Sequence, residues 1–164
     1  MPEDRRPRLW LFGIEPEIGE ELGAQYFVRP SDAEVNELYN KCTALIQTSR
    51  HEGFCLPLLE AMTTGAPVIC TDSNGNRDFI RDGENCLVVP QEDAQAVGEA
   101  IEKLFGDAEL QRRLGEAGRQ TAAEFDLNLI RERHRSFLKR VADQTAAGAT
   151  PAAPASAAGD AAPA

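Results

Sequence analysis

Residues 50–67, Arg50-His51-Glu52-Gly53-Phe54-Cys55-Leu56-Pro57-Leu58-Leu59-Glu60-Ala61-Met62-Thr63-Thr64-Gly65-Ala66-Pro67, decide how the rest of the chain is read. Just upstream, residues 44–48 form a short apolar run of the kind that makes a buried strand. Within the stretch, Pro57 suits the first position of a helix, because its φ is already helical and no N–H is missed there, and Gly65 supplies the stop. Strand, glycine-containing loop and helix follow one another as in a βα unit. Its loop then lies at the carboxyl edge of the sheet, where open α/β folds bind ligands.

The chemistry of that loop is specific. Gly53 has no β-carbon, so a ligand can approach its backbone. The amides of Gly53, Phe54, Cys55 and Leu56 sit just ahead of the helix, where free N–H groups and the positive end of the dipole favour a phosphate oxygen. Glu52 on the loop and Glu60 in the helix's first turn, roughly 5 Å along the axis, are acceptor-only carboxylates that suit hydroxyl groups. A phosphorylated sugar fits this layout. On the residues alone a second reading stays open, with Glu60 complementing the helix dipole for about 0.3–1 kcal/mol and Glu52 merely solvated. Arg50 and His51 flank the loop as further contacts or as solvated side chains.

Outward from the stretch, apolar runs alternate with helical patterns, which implies βα units and a mainly parallel sheet. Strands are expected at residues 8–12, 25–28, 44–48, 68–71 and 86–89, all in one sheet. Ser31-Asp32 can cap a helix to about residue 40, with Val35, Leu38 and Tyr39 inward. Further helices are expected over residues 57–65, 77–82, 93–105, 107–124 and 127–141. Ala96, Val97, Ala100, Ile101 and Leu104 carry the core-facing spacing of the helix at 93–105.

The 164 residues leave room for one domain, expected at 1–144, since residues 145–164 are an Ala/Pro-rich stretch with little to bury and are read as a disordered tail. No apolar run approaches the roughly 20 residues of a membrane span, so no transmembrane segment is expected. A net charge of −10 argues against a nucleic-acid partner. Cys42, Cys55, Cys70 and Cys86 form no Cys-x-x-Cys pair and only two histidines accompany them, so neither zinc nor a disulfide framework follows. Cys42, Cys70 and Cys86 are expected to be buried, reduced thiols of a cytosolic protein.

Residues 49–67 resemble the signature of the family 4, or group 1, retaining GT-B glycosyltransferases: a Ser before the loop, Glu-Gly-Phe-Gly-Leu-Pro, a second Glu eight positions on, then Ala-Met-Ala-x-Gly-x-Pro-Val. Glu52, Gly53, Phe54, Leu56, Pro57, Glu60, Ala61, Met62, Gly65, Pro67 and Val68 match that register. The similarity continues through residues 71–80 and 82–90 and covers roughly residues 8–140. The sequence departs from the family at Cys55, Asn74 and Cys86, where the pattern has Gly, and at Asp78, where it has Glu.

The resemblance implies a Rossmann-like three-layer α/β domain with C-terminal helices, the donor-binding C-terminal half of a GT-B fold. The first strand of that domain, with the Arg and Lys that follow it, is then not among these residues. It implies retaining transfer, of the hexosyltransferase type, from a nucleotide diphosphate sugar to an acceptor hydroxyl. No cofactor and no metal are implied, and the isolated domain is expected to be inactive. Glu52 would be the catalytic residue, orienting the sugar, and Gly53, Phe54, Cys55 and Leu56 would hold donor sugar and diphosphate. Glu60 would bind the ribose, and backbone near Phe27, Val28 and Arg29 would meet the base. The acceptor, a glycan, lipid or small molecule, would be bound by an N-terminal domain, and the setting would be cytoplasmic, with membrane-peripheral attachment of a longer enzyme left open. A nonhydrolysing nucleotide-sugar epimerase-like domain and a non-catalytic nucleotide-sugar-binding module are the alternatives.

Overall fold

A computed structural model describes residues 7–146, which fall into two units, residues 7–125 and 126–146. In the first, β1 (Trp10–Gly13), α1 (Glu17–Leu22), β2 (Gln25–Val28), α2 (Asp32–Lys41), β3 (Leu45–Gln47) and α3 (Leu56–Thr64) alternate along the chain. They are followed by β4 (Val68–Thr71), β5 (Leu87–Val89), α4 (Ala94–Gly106) and α5 (Ala108–Glu124). The second unit holds α6 (Leu127–Ala146), whose first turn is capped by the Asp126 carboxylate accepting from the amides of Asn128 and Leu129.

All strand pairs are parallel, as expected. They do not form one sheet. β1 pairs with β2, and β3–β4–β5 form a separate ladder with β4 at its centre. A βαβ unit such as β1-α1-β2 satisfies its own pairing, and composition carries no signal for which ladder a strand joins.

Burial follows the pairing. β4, hydrogen-bonded on both sides, is buried throughout, and its alternate residues serve two cores. Val68 and Cys70 pack with Leu58, Leu59, Ala61 and Met62 of α3, while Ile69 packs with Leu104 of α4 and Leu110 and Leu114 of α5. This is a helix–strand–helix sandwich, the Rossmann-like layering that the sequence implies. α3 and α5 approach closely because Gly115 and Gly118 of α5 lie against Gly65 and Met62.

Other expectations are corrected. Residues 77–82 form no helix: the amides of Phe79 and Ile80 reach the Asn76 carbonyl, but the Arg81 amide is taken by the Asn85 side chain, which stops propagation. α1, a six-residue helix ended by a left-handed Gly23, was not expected, since six residues show no helical period. Thr145 and Ala146, assigned to the tail, close α6, and residues 147–164 of that tail lie outside the described residues. Cys55, Cys70 and Cys86 are free and buried, whereas Cys42 is only half-buried.

Candidate functional site

Three local devices build the loop between β3 and α3. The first is a left-handed turn: Cys55, with φ 63° and ψ 58°, caps α3 without donating or accepting a side-chain bond. Its position is one where the resembling pattern has glycine, and an L-residue there costs about 1–2 kcal/mol. Burial of the Cys55 side chain in the core beside Leu58 offsets part of that cost. Burial, and then the nearby Glu52 charge, push the Cys55 thiol up, so it stays protonated at neutral pH.

The second device ties the loop to the segment after β4. The Thr71 hydroxyl donates to the Ser49 carbonyl at 2.6 Å, and the Glu52 amide donates to the Ser73 carbonyl at 3.0 Å. The Gln91 side-chain amide bridges the carbonyls of Arg50 and Asp72 at 2.9 and 2.5 Å. Gly75 sits against the backbone of Glu52 and Gly53, with no room for a β-carbon. Arg50 is paired with Glu92, and His51 Nδ1 lies 3.0 Å from the Asn74 side-chain nitrogen, so both flanking candidates already have protein partners.

Third, the loop leaves a set of donors unused. Among the described residues, no hydrogen bond is donated by the amides of Gly53, Phe54, Cys55 or Leu56, although they stand at the start of α3. Four free N–H groups at a helix N-terminus are an anion-binding arrangement.

The two carboxylates have different surroundings. Glu52 is half-buried, with Oε1 3.4 Å from the Gln47 side-chain amide, which also donates to Ser49 Oγ. Glu60 is exposed and is the fifth residue of α3, so it stands one turn inside the helix rather than in its first turn. Its Oε2 accepts from the Tyr39 hydroxyl at 3.2 Å. Between α2 and α3 a crevice of about 280 Å³ is lined by Asp32, Asn36, Tyr39, Glu60 and Thr63; Glu52 and residues 53–56 do not line it. Phe27, Val28 and Arg29 stand at the C-terminal end of β2, with Arg29 in a left-handed conformation. Among the described residues no hydrogen bond, ion pair or ring contact joins them to residues 50–60.

With this geometry in place the comparisons are unambiguous about kinship. Residues 20–121 match the glycosyl transferases group 1 family. The chain belongs to that family. The lipopolysaccharide core biosynthesis glycosyltransferase LpsE of Rhizobium meliloti (strain 1021) is 41% identical over 76 residues, 46% of this chain and 22% of LpsE. Among solved structures, Anabaena Alr3699/HepE in complex with UDP-glucose superposes with a TM-score of 0.72 at 19% identity, covering 81% of this chain and 41% of that one. The C-terminal domain of the group 1 family protein LpcC from Francisella tularensis gives a TM-score of 0.56 at 24% identity, over 65% and 57% of the two chains. These neighbours establish the shared fold. The chain spans less than a third of the length of the curated relatives it matches.

In this group 1 glycosyltransferase chain the side chains that hold the loop were not singled out from sequence. Gln47, Asn76 and Gln91 act across strand ends, and an uncharged amide carries no one-dimensional signal. Tyr39 was legible only as a core residue. Its hydroxyl, which must find a partner when buried, was the available clue.

Proposed function

We propose that this chain is the donor-binding domain of a retaining glycosyltransferase, residues 1–144 holding a nucleotide diphosphate sugar while a separate acceptor-binding domain supplies the acceptor hydroxyl. The observation that carries this reading is the group of four unused amides at the start of α3, with one carboxylate on the loop and another one turn into the helix. Family membership and the UDP-glucose held by the Anabaena neighbour support the donor class.

In this scheme the departing diphosphate gathers negative charge in an oxocarbenium-like transition state. The amides of residues 53–56 and the α3 dipole are already oriented toward that charge, so no reorganisation is needed as it develops. Glu52, held by Gln47, accepts from the hydroxyls of the transferred sugar and orients it. Glu60 accepts from the ribose. Backbone at Phe27, Val28 and Arg29 faces the base. Transfer by these residues alone is expected to be negligible, and to appear when an acceptor-binding domain is added.

Calorimetry with UDP, GDP and ADP tests the site. Glu60→Ala is expected to weaken the best-bound nucleotide by about tenfold, since a hydrogen bond to a charged group contributes roughly 1.5–3 kcal/mol. Equal heats for parent and variant, or no heat with any of the three, would count against the reading. A fold-neutral companion is Gly53→Ala. A β-carbon there meets nothing within 4 Å, so stability should stay within about 0.5 kcal/mol. The methyl would nevertheless stand where the diphosphate approaches, and affinity for the sugar nucleotide should fall by roughly tenfold or more. Unchanged affinity would place the diphosphate elsewhere.

A further inference from the structure

We propose that Tyr39 is a positioning residue for the donor: its hydroxyl holds the Glu60 carboxylate so that the second oxygen is presented to the ribose hydroxyls at the crevice between α2 and α3. This rests on the ribose reading of Glu60 given above.

Glu60 lies on an exposed helix face, where a long side chain samples many rotamers. Tyr39 does not. It is 4% exposed, its ring meets Phe12 edge-on at 6.0 Å, and its carbonyl accepts from Thr64 Oγ1 at 3.2 Å and Cys42 Sγ at 3.3 Å. The hydroxyl is therefore a fixed point, and it reaches Glu60 Oε2 at 3.2 Å. Burial, and then the Glu60 charge, push the phenol well above its ordinary range. At neutral pH it keeps its proton and can only donate toward the carboxylate.

That single donor occupies one oxygen. Among the described residues Glu60 Oε1 has no hydrogen-bond partner. A carboxylate anchored through one oxygen retains acceptor sites for the vicinal diol of a ribose. The same crevice adds Asp32 and Asn36, further polar groups suited to a neutral polyol. Anchoring Glu60 before the ligand arrives removes rotamer freedom that binding would otherwise have to freeze.

The decisive measurement separates positioning from general support of the fold. Tyr39→Phe keeps the ring and its packing and removes the donor alone, and a thermal melt verifies that the variant is folded. The best-bound of UDP, GDP and ADP, and its 2′,3′-dideoxy form, are titrated into the parent chain, Tyr39→Phe, Glu60→Ala and the double variant. Tyr39→Phe should lose roughly three- to tenfold in affinity for the ribonucleotide, the range of one net hydrogen bond. It should lose nothing for the dideoxy form, and add nothing to Glu60→Ala.

Parent-like ribonucleotide affinity in Tyr39→Phe, with Glu60→Ala impaired, would overturn the inference and leave the site standing. An equal loss for both nucleotide forms would make Tyr39 a tie between helices and also overturn it. If Glu60→Ala itself binds like the parent, or none of the three nucleotides binds, the ribose reading falls and this inference falls with it.

Discussion

Gly75→Ala should abolish detectable donor binding, a loss of at least about a hundredfold, and cost about 1–3 kcal/mol of stability through overpacking. A methyl at residue 75 would overlap the carbonyls of Glu52 and Gly53, which are main-chain atoms and cannot rotate aside. Nor can the loop yield locally. The Glu52 amide is bonded to the Ser73 carbonyl at 3.0 Å, Glu52 and Asn74 form a parallel bridge, and Gln91 ties Arg50 to Asp72. The strain must therefore move the segment carrying Glu52 and the four free amides. An ångström of displacement is enough to lose the alignment on which an anion site depends. Melting curves and sugar-nucleotide titrations measure both effects. Donor affinity within about threefold of the parent in folded Gly75→Ala would mean that the loop is not the binding element.

The contrast with Gly53→Ala sharpens the point. Both glycines belong to motifs visible in the sequence, and nothing in one dimension distinguishes them. In three dimensions one has its missing β-carbon filled by main chain and the other by nothing. The first is required by the fold, and the second leaves open space beside the loop.

Local signals were read well because they are local. The Ser31 cap appears with its reciprocal Glu34 bonds, Pro57 stands in the first turn of α3, Gly65 ends it in a left-handed conformation, and β2 and β4 have the expected bounds. What was illegible is long-range. The division into two ladders depends on which edges meet, the loop's rigidity depends on residues after β4 and β5, and the Tyr39–Glu60 contact spans two helices. The failed helix at residues 77–82 has the same origin, because Asn85 captures backbone groups at both Phe79 and Arg81. The strand–loop–helix pattern carried the placement of Glu52 and Glu60 and the resemblance carried their expected roles, but neither held information about the groups that hold them.

Asn76→Ala has the largest expected effect on stability alone, a loss of about 2–5 kcal/mol, because it strands two buried main-chain groups. The Asn76 Nδ2 donates to the Thr71 carbonyl at 2.8 Å, and its Oδ1 accepts from the Ser73 amide at 3.0 Å. Thr71, Ser73 and Asn76 are each 1% exposed, so no solvent stands ready to replace either bond. Ser73→Ala one step away should do the opposite. The Ser73 hydroxyl is buried without a partner, and removing it should be neutral or stabilising by up to about 1 kcal/mol. Asn76→Asp adds a pH signature. A protonated carboxyl can keep both bonds, whereas the ionised form loses its donor and is buried beside a carbonyl, so burial raises its folded-state pKa above the unfolded value. The stability of Asn76→Asp should thus be nearest the parent at acid pH and decline as pH rises through that titration. Denaturant unfolding of the three variants at two pH values measures this, and an Asn76→Ala chain that unfolds with the parent's midpoint would show that the turn beneath the β3–α3 loop is held by something other than this side chain.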